Sequence, residues 1–420
     1  MKPLSFLKIG VFFFFSIVIA SAAFAGGRWS KPDLPDIPAG WSEIDPAEEY
    51  PDFEYNGLTP ACSGSPTCMS APPFDKFTFF AKKGAVNKLV IYFQGGGGCW
   101  DFMNCVIAPT YTQQQKETIG MFANTAGMGI FDTANPANPF KDWYFVYIPY
   151  CTGDIHWGAS DTEYDDILDL IPGRDSWTIQ HRGFVNFQVV LKWVEDKFIR
   201  PGKIFVTGSS AGSYGAIGAF PFIKREFPRS KVYVLGDAGN GVSSEAFQNG
   251  GIYNWNVQVP DWIPGYEDGY NPEKTTADMY INYANYYPRS KVAQYTNAWD
   301  NTQAWFYNLQ FGGLVSYPQE WENFPYDPIY CGWHDQMLEY AYDTADNVHN
   351  YRYYIAAGST HTIMMSPLFY AEDSAGIPFD RWVGAMVGDP FRFHRHRGKR
   401  LWRNLQCGDC EDPVVCPYPD

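Results

Sequence analysis

The chain has 420 residues and a formal net charge of −15. A chain this acidic is a poor general partner for nucleic acid or for an anionic membrane surface, so we expect neither. With 45% hydrophobic residues, 18% aromatic residues and no low-complexity tract, the composition predicts a globular protein with a sizeable core.

The first 25 residues predict export. Lys2 and Lys8 precede an apolar stretch, residues 9–23, that leads into Ala23-Phe-Ala25, which is the pattern of a secretory signal peptide. The apolar stretch is shorter than the roughly 20 residues that a membrane span needs. We therefore expect cleavage after Ala25, no stable membrane anchor afterwards, and a mature chain of residues 26–420 in the periplasm or outside the cell. Loss of the two lysines would change the net charge from −15 to −17.

Apolar runs bounded by turn residues predict buried strands along the mature chain. These runs are Lys76–Ala81, Asn87–Phe93, Tyr144–Pro149, Lys203–Thr207, Lys231–Leu235 and Tyr351–Ala356. Helix-like segments, Phe184–Phe198 and Ala211–Glu226 among them, alternate with these strands. The alternation predicts a single α/β domain, similar to an α/β-hydrolase, with a mostly parallel sheet, helices on both faces and long loop insertions.

The stretch 247–328 interrupts this alternation because it is rich in Tyr, Trp, Asn and Pro, with a helix-like piece at Ala277–Tyr286. We predict an insertion over the carboxyl edge of the sheet, where folds of this class place their sites. Residues 400–420 are predicted to form a cysteine-rich C-terminal tail.

Nine cysteines in an exported chain predict disulfide bonds. Short-loop pairing is expected for Cys62 with Cys68 and for Cys99 with Cys105. Cys151 and Cys331 can pair with each other or with the terminal group, which consists of Cys407, Cys410 and Cys416. An odd total leaves one thiol free or paired between molecules, and neither the full connectivity nor the oligomeric state follows from the sequence. Because no second Cys-x-x-Cys and no suitably spaced His pair accompanies Cys407-x-x-Cys410, no metal site is predicted.

The sequence Gly208-Ser-Ser-Ala-Gly212 directly follows a predicted strand and precedes a predicted helix. A Gly-x-Ser-x-Gly in that position presents a nucleophilic serine on a sharp turn, and its glycines relieve crowding there. The spacing selects Ser210 rather than Ser209 as the nucleophile. The alternative interpretation is a Ser/Gly-rich loop without a catalytic role.

Gln94-Gly-Gly-Gly-Gly-Cys-Trp100 follows another predicted strand. Such a loop exposes backbone N–H groups that can stabilise an oxyanion, and we predict that Gly96 and Gly97 do so together with Ala211. A phosphate-binding loop is the rival interpretation, but the glycines have neither a Gly-Lys-Ser/Thr ending nor dinucleotide-binding spacing. A purely structural turn is the third alternative.

A catalytic base is expected after the last strand, and His361 occupies that position. The residues alone leave the acid open between Asp237 and Asp300. His156 precedes the serine, the wrong order for a base in this fold, so Trp100, Asp154 and His156 are interpreted as substrate-cleft candidates.

Four segments together resemble the pectin acetylesterase/Notum family of serine carboxylesterases, as an exported member of bacterial type. They are Tyr92–Trp100, Pro149–Asp154, Gly208–Gly212 and Ser359–His361. The resemblance implies Ser210 as nucleophile, His361 as base, and Gly96, Gly97 and Ala211 as oxyanion donors. It also implies Asp300, in Asp300-Asn-Thr-Gln303, as the acid. Bulky aromatic residues often stand in the family where this chain has Gly97 and Gly98.

The predicted function is removal of acyl groups, acetyl groups above all, from an ester-modified substrate such as the polysaccharide pectin, without cofactor or metal. Gly97 and Gly98 and the long aromatic insertion are departures from the family pattern, and both bear on the acyl pocket and hence on the substrate. Hydrolysis of lipid, polyester or acyl-protein esters is the first alternative. A catalytically silent carbohydrate-binding or adhesion protein on the same scaffold is the second.

Overall fold

Nine strands of the described residues form one twisted sheet at the centre of the protein. The computed structural model describes residues 34–64, 76–113, 128–311, 328–388 and 400–410, apart from residues 168, 172, 174 and 409. Contacts divide the chain into two units, Met1–Pro32 and Asp33–Asp420. The predicted signal peptide and its cleavage site at Ala25 lie outside the described residues.

The strands are numbered in chain order. They are β1 Trp41–Ile44, β2 Phe79–Lys82, β3 Lys88–Phe93, β4 Tyr144–Ile148, β5 Ser160–Asp165, β6 Ser176–His181, β7 Lys203–Ser209, β8 Lys231–Asp237, β9 Lys291–Asn297, β10 Tyr351–Ala356, β11 Asp373–Ser374, β12 Ile377–Pro378 and β13 Leu405–Gln406. The large sheet has the order β1-β2-β4-β3-β7-β8-β9-β10-β13, in which β1, β2 and β4 pair antiparallel and all later neighbours pair parallel. β5 pairs with β6, and β11 with β12, in separate antiparallel ribbons.

The α-helices are likewise numbered in chain order. They are α1 Pro46–Glu49, α2 Gly183–Lys197, α3 Ala211–Glu226, α4 Glu245–Asn249, α5 Thr276–Tyr286, α6 Asn301–Leu309, α7 Pro328–Asn347 and α8 Phe379–Val387. Short 3₁₀ turns occur at Gly129–Phe131, Gly251–Trp255 and Pro367–Tyr370, and a π-helical turn at Met103–Ile107.

The central strands are buried on both faces because apolar side chains point to both sides of the sheet. In β3, Leu89, Ile91 and Phe93 join one hydrophobic cluster, whereas Val90 and Tyr92 join the other. Helices α2 and α3 pack into the first cluster and α8 into the second, so the sheet has helices on both faces. This arrangement confirms the predicted α/β class, in which a parallel sheet is covered on both sides.

The predicted strands and helices agree closely with the structure, but the stretch 247–328 is not a single insertion. It contains β9, a strand in the interior of the sheet between β8 and β10. The polar residues Gln294 and Thr296 obscured this strand in the sequence, although both are buried and hydrogen-bonded, Gln294 accepting from the Tyr351 hydroxyl at 2.7 Å. The predicted C-terminal tail also begins with a sheet element, because β13 pairs with β10.

The disulfides correct two of the predicted pairings. Cys62 bonds Cys151, 89 residues away, so the expected bond between Cys62 and Cys68 is wrong, and so is the expected pairing of Cys151 with Cys331 or with the terminal group. The bond between Cys99 and Cys105 is confirmed. Cys407 bonds Cys410, and Cys331 is also disulfide-bonded.

These bonds fit an oxidising compartment outside the cytoplasm. In the portion of the chain that the structure describes, no helix combines the length and the apolar character required to cross a membrane.

The disulfides provide a prediction about stability. A disulfide that closes a loop of 89 residues restricts the unfolded chain more than one that closes a loop of 6 residues. In the chain-entropy account, the first stabilises the folded state by about 4.5 kcal/mol and the second by about 2 kcal/mol. Urea unfolding under oxidising conditions should therefore give a larger loss of unfolding free energy for Cys62→Ala/Cys151→Ala than for Cys99→Ala/Cys105→Ala.

The second double variant is a matched control because all four cysteines are fully buried. Equal losses in the two variants would contradict the prediction.

Candidate active site

The predicted nucleophile Ser210 lies on a sharp turn between β7 and α3. Its backbone has φ 56° and ψ −124°, a conformation that costs free energy for a residue with a side chain and that occurs at functional sites. The amide of Ser210 donates to the Asp237 carbonyl oxygen at 2.8 Å, which fixes the turn against the end of β8.

The two glycines of this turn are required by close backbone contacts. A Cβ atom on Gly212 would lie 2.0 Å from the Phe93 carbonyl oxygen, and one on Gly208 would lie 2.2 Å from the Gly212 carbonyl oxygen. No side chain fits at such distances, so α3 can begin directly over the end of β3 only with glycine at both positions.

The glycine-rich loop follows β3 and lies next to Ser210. Gly96 and Gly97 have φ of 152° and 78°, which favour glycine. A Cβ on Gly97 would lie 2.0 Å from the Thr110 carbonyl oxygen, and the Thr112 amide donates to the Gly96 carbonyl oxygen at 2.7 Å. The segment 110–112 therefore packs against the glycine-rich loop and restrains its backbone. Ala211 opens α3, where a backbone amide has no intrahelical acceptor and can bind an anion.

The predicted base His361 contacts the predicted acid Asp300. His361 Nδ1 lies 2.9 Å from Asp300 Oδ1 and 2.8 Å from Oδ2. Asp300 is fully buried at the start of α6, and its carboxylate also accepts hydrogen bonds from the amides of Thr302 and Gln303 and from Gln303 Nε2. These donors orient the carboxylate toward the imidazole.

The surroundings of His361 favour its protonated form. Burial opposes the charge, but the charge and hydrogen bond of Asp300, together with the charge of Asp237, raise the pKa of His361 above the usual 6.5. A carboxylate at Nδ1 also selects the tautomer whose Nε2 can accept a proton. His361 Nε2 is buried and makes no hydrogen bond to any described residue.

One cleft brings most of these groups together. It measures about 730 Å³ including its opening to solvent, and its lining includes Ser210, His361, Gly97 and Ala211. Gly96 does not line this cleft. Ser210 and His361 make no direct hydrogen bond in the structure, and such contacts are often long before a substrate is bound.

Comparison with known families is consistent with this site. The model of the Pectinacetylesterase family matches residues 70–259. Over these residues the chain is similar to that family, which is a family of carboxylic ester hydrolases. The mostly parallel sheet with helices on both faces is an α/β-hydrolase-like fold. The matched stretch includes Gly96, Gly97 and Ser210 and ends before Asp300 and His361. No curated protein matches the chain significantly.

Asp237, the other acid candidate, has a different set of contacts. Its fully buried carboxylate accepts hydrogen bonds from the Ser209 hydroxyl and from the amides of Ile363 and Met364. Burial raises its pKa to about 6. The structure thus places Asp300, rather than Asp237, against the imidazole of His361.

Asp154 and His156 do not line the cleft, contrary to the prediction. Asp154 is fully buried and accepts from the Thr152 hydroxyl at 2.6 Å and the Gly183 amide at 2.7 Å. His156 Nε2 lies 2.8 Å from the Gln94 carbonyl oxygen, and burial lowers the pKa of this histidine to about 4. Both side chains therefore brace segments behind the glycine-rich loop.

Trp100 does line the cleft, together with aromatic residues that sequence reasoning did not single out. These are Trp157, Tyr214, Phe247, Trp255, Phe306 and Trp333. They come from separate segments of the chain, and several lie in the aromatic stretch after β8. Its composition indicated contact with the site, but no local pattern distinguished cleft-lining aromatic residues from core ones.

The glycine-rich loop provides a prediction with an internal control. Gly97→Ala should lower kcat on p-nitrophenyl acetate by about 10-fold or more, because the added Cβ must displace the Thr110 carbonyl or the loop amide. Gly98→Ala should have a kcat close to that of the parent enzyme, since its Cβ would meet no atom nearer than 3.6 Å.

Steady-state kinetics of the two variants, with circular dichroism to check folding, measure this difference. Equal activity of the two variants would show that the Gly97 backbone is not critical.

Proposed function

We propose that this protein is an exported esterase that removes acyl groups, acetyl groups above all, from a polysaccharide such as pectin through an acyl-enzyme on Ser210. The observation that carries the proposal is the contact of His361 Nδ1 with both Asp300 oxygens in a cleft that also contains Ser210. The similarity of residues 70–259 to the Pectinacetylesterase family supports the substrate class.

In the proposed reaction, His361 Nε2 takes the proton of the Ser210 hydroxyl as Ser210 Oγ attacks the ester carbonyl carbon. Asp300 holds the imidazole and stabilises its positive charge. The amides of Gly96, Gly97 and Ala211 stabilise the oxyanion, and such donors contribute about 3 kcal/mol each in comparable sites. His361 then protonates the leaving alcohol. In the second half-reaction His361 takes a proton from water, which attacks the acyl-enzyme, and then returns the proton to Ser210 Oγ as the carboxylic acid leaves.

Export is part of the proposal. The N-terminal pattern predicts cleavage after Ala25, and the long-range bond between Cys62 and Cys151 supports maturation in an oxidising compartment. No cofactor is required by the proposed steps.

Hydrolysis of longer acyl esters is the second candidate. The aromatic wall of the cleft, with Trp157, Trp255 and Phe306, offers apolar surface that a longer acyl chain can also contact. The two candidates differ in acyl-chain preference rather than in mechanism.

Ser210→Ala tests the mechanism and the parent enzyme tests the substrate. The variant should lose about 10⁴-fold or more of its turnover of p-nitrophenyl acetate and all labelling by a fluorophosphonate probe, while its melting temperature stays near that of the parent. The parent should release acetate from acetylated pectin and prefer acetyl to long-chain p-nitrophenyl esters.

Retained turnover in Ser210→Ala would refute the acyl-enzyme. A strong preference of the parent for long acyl chains would refute the deacetylase assignment and favour the second candidate.

The pH profile tests the proposed pair of His361 and Asp300. Because the base must be neutral to accept a proton, kcat/KM should rise with pH through a pKa above 6.5. Asp300→Asn removes the charge and the hydrogen bond that raise this pKa, so the acidic limb should move to lower pH while kcat falls by about 10³- to 10⁴-fold.

Measurement of kcat/KM between pH 4 and 9, a range chosen to span roughly two units on either side of the histidine pKa, resolves this limb. An unchanged limb in Asp300→Asn would exclude the pair.

A further inference from the structure

The three segments proposed to carry the chemistry are joined by one buried set of hydrogen bonds. The set consists of Tyr92, Ser209, Asp237, Ile363 and Met364, and we refer to it as the Asp237 network. The Tyr92 hydroxyl donates to Ser209 Oγ at 2.8 Å, and the Ser209 hydroxyl donates to Asp237 Oδ2 at 2.5 Å. The amides of Ile363 and Met364 donate to the same carboxylate at 3.0 and 2.9 Å.

Each member adjoins one part of the proposed machinery. Tyr92 is the penultimate residue of β3, two residues before the glycine-rich loop begins at Gln94, and Ser209 is the residue before Ser210. Ile363 and Met364 lie two and three residues after His361. The backbone carbonyl of Asp237 also accepts from the Ser210 amide, so Asp237 holds the nucleophile turn through two separate groups.

The burial of Asp237 shows that these contacts matter energetically. Its carboxylate is fully buried, and a charged group in that environment is retained only when several donors compensate for its lost hydration. The carboxylate accepts from three different residues, two of them by backbone N–H groups that belong to the loop carrying His361. Two ionisable groups interact with this carboxylate through their charges: His361, which lowers the pKa of Asp237, and Tyr295 of β9, whose own pKa Asp237 raises.

We propose that Asp237 is a positioning residue that fixes the loop of His361 relative to Ser210, with Ser209 and Tyr92 as its relay to the glycine-rich loop. The inference rests on the proposed function. It gives Ser209 a role distinct from that of the nucleophile beside it, and it gives Asp237 a role distinct from that of the acid.

The first test is Asp237→Asn. The Nδ2 group of asparagine cannot accept a hydrogen bond, and at either oxygen position it would face the Ile363 amide, so the His361 loop should shift and kcat should fall by about 10- to 100-fold with KM changed little. The acidic limb of kcat/KM should also move to lower pH, because the Asp237 charge contributes to the raised pKa of His361. A residue that only stabilised the fold would not move this limb.

The second test does not depend on Asp237→Asn folding. Ser209→Ala and Tyr92→Phe each remove one hydroxyl group, and both should lower kcat on p-nitrophenyl acetate. If Tyr92 acts through Ser209, the double variant should be no slower than Ser209→Ala alone. Fully additive losses would overturn the relay.

Turnover by Asp237→Asn equal to the parent, or an unshifted acidic limb, would overturn the positioning role. Ser210→Ala measured alongside separates the two proposals. If Ser210→Ala is inactive and Asp237→Asn is unaffected, the positioning role fails while the proposed function stands. If Ser210→Ala retains turnover, the proposed function itself fails.

Discussion

The close backbone contact between the end of β3 and the start of α3 is the constraint on which the site depends. A Cβ on Gly212 would lie 2.0 Å from the Phe93 carbonyl oxygen, and a Cβ on Gly95 would lie 2.4 Å from the Ser209 carbonyl oxygen. The nucleophile turn and the glycine-rich loop therefore touch through their main chains, without intervening side chains. This contact holds Ser210 in an unfavourable conformation beside the amides of the loop, and only glycine permits it.

Three buried aspartates lie at or near the carboxyl edge of the sheet, and their different hydrogen-bond partners give them different roles. Asp154 accepts hydrogen bonds from neighbouring backbone and Thr152, and it braces the segment behind the glycine-rich loop. Asp237 joins the Ser209 and His361 segments. Asp300 alone contacts the imidazole of His361. Burial is common to all three, so the direction of each carboxylate and the donors that surround it decide its role.

Much of the fold was predictable because its strands are apolar and its turns contain glycine. The strand at Tyr351–Ala356 and the helix at Ala211–Glu226 have the predicted bounds. β9 was missed because Gln294 and Thr296 are polar, and the partner that satisfies Gln294, the Tyr351 hydroxyl, lies 57 residues away. The bond between Cys62 and Cys151 was missed for a related reason, since sequence spacing carries little information about which cysteines meet across 89 residues.

The sequence by itself determined the fold class, the order of the site segments and the residue types at the nucleophile turn and glycine-rich loop. Local physical chemistry suffices there, because apolar runs form buried strands and crowded turns require glycine. Only the tertiary structure decided that Asp300 contacts His361, that Asp154 and His156 lie behind the cleft, and that Trp157, Trp255 and Phe306 line it. These outcomes depend on side-chain directions and burial between segments far apart in the chain, which no local pattern encodes.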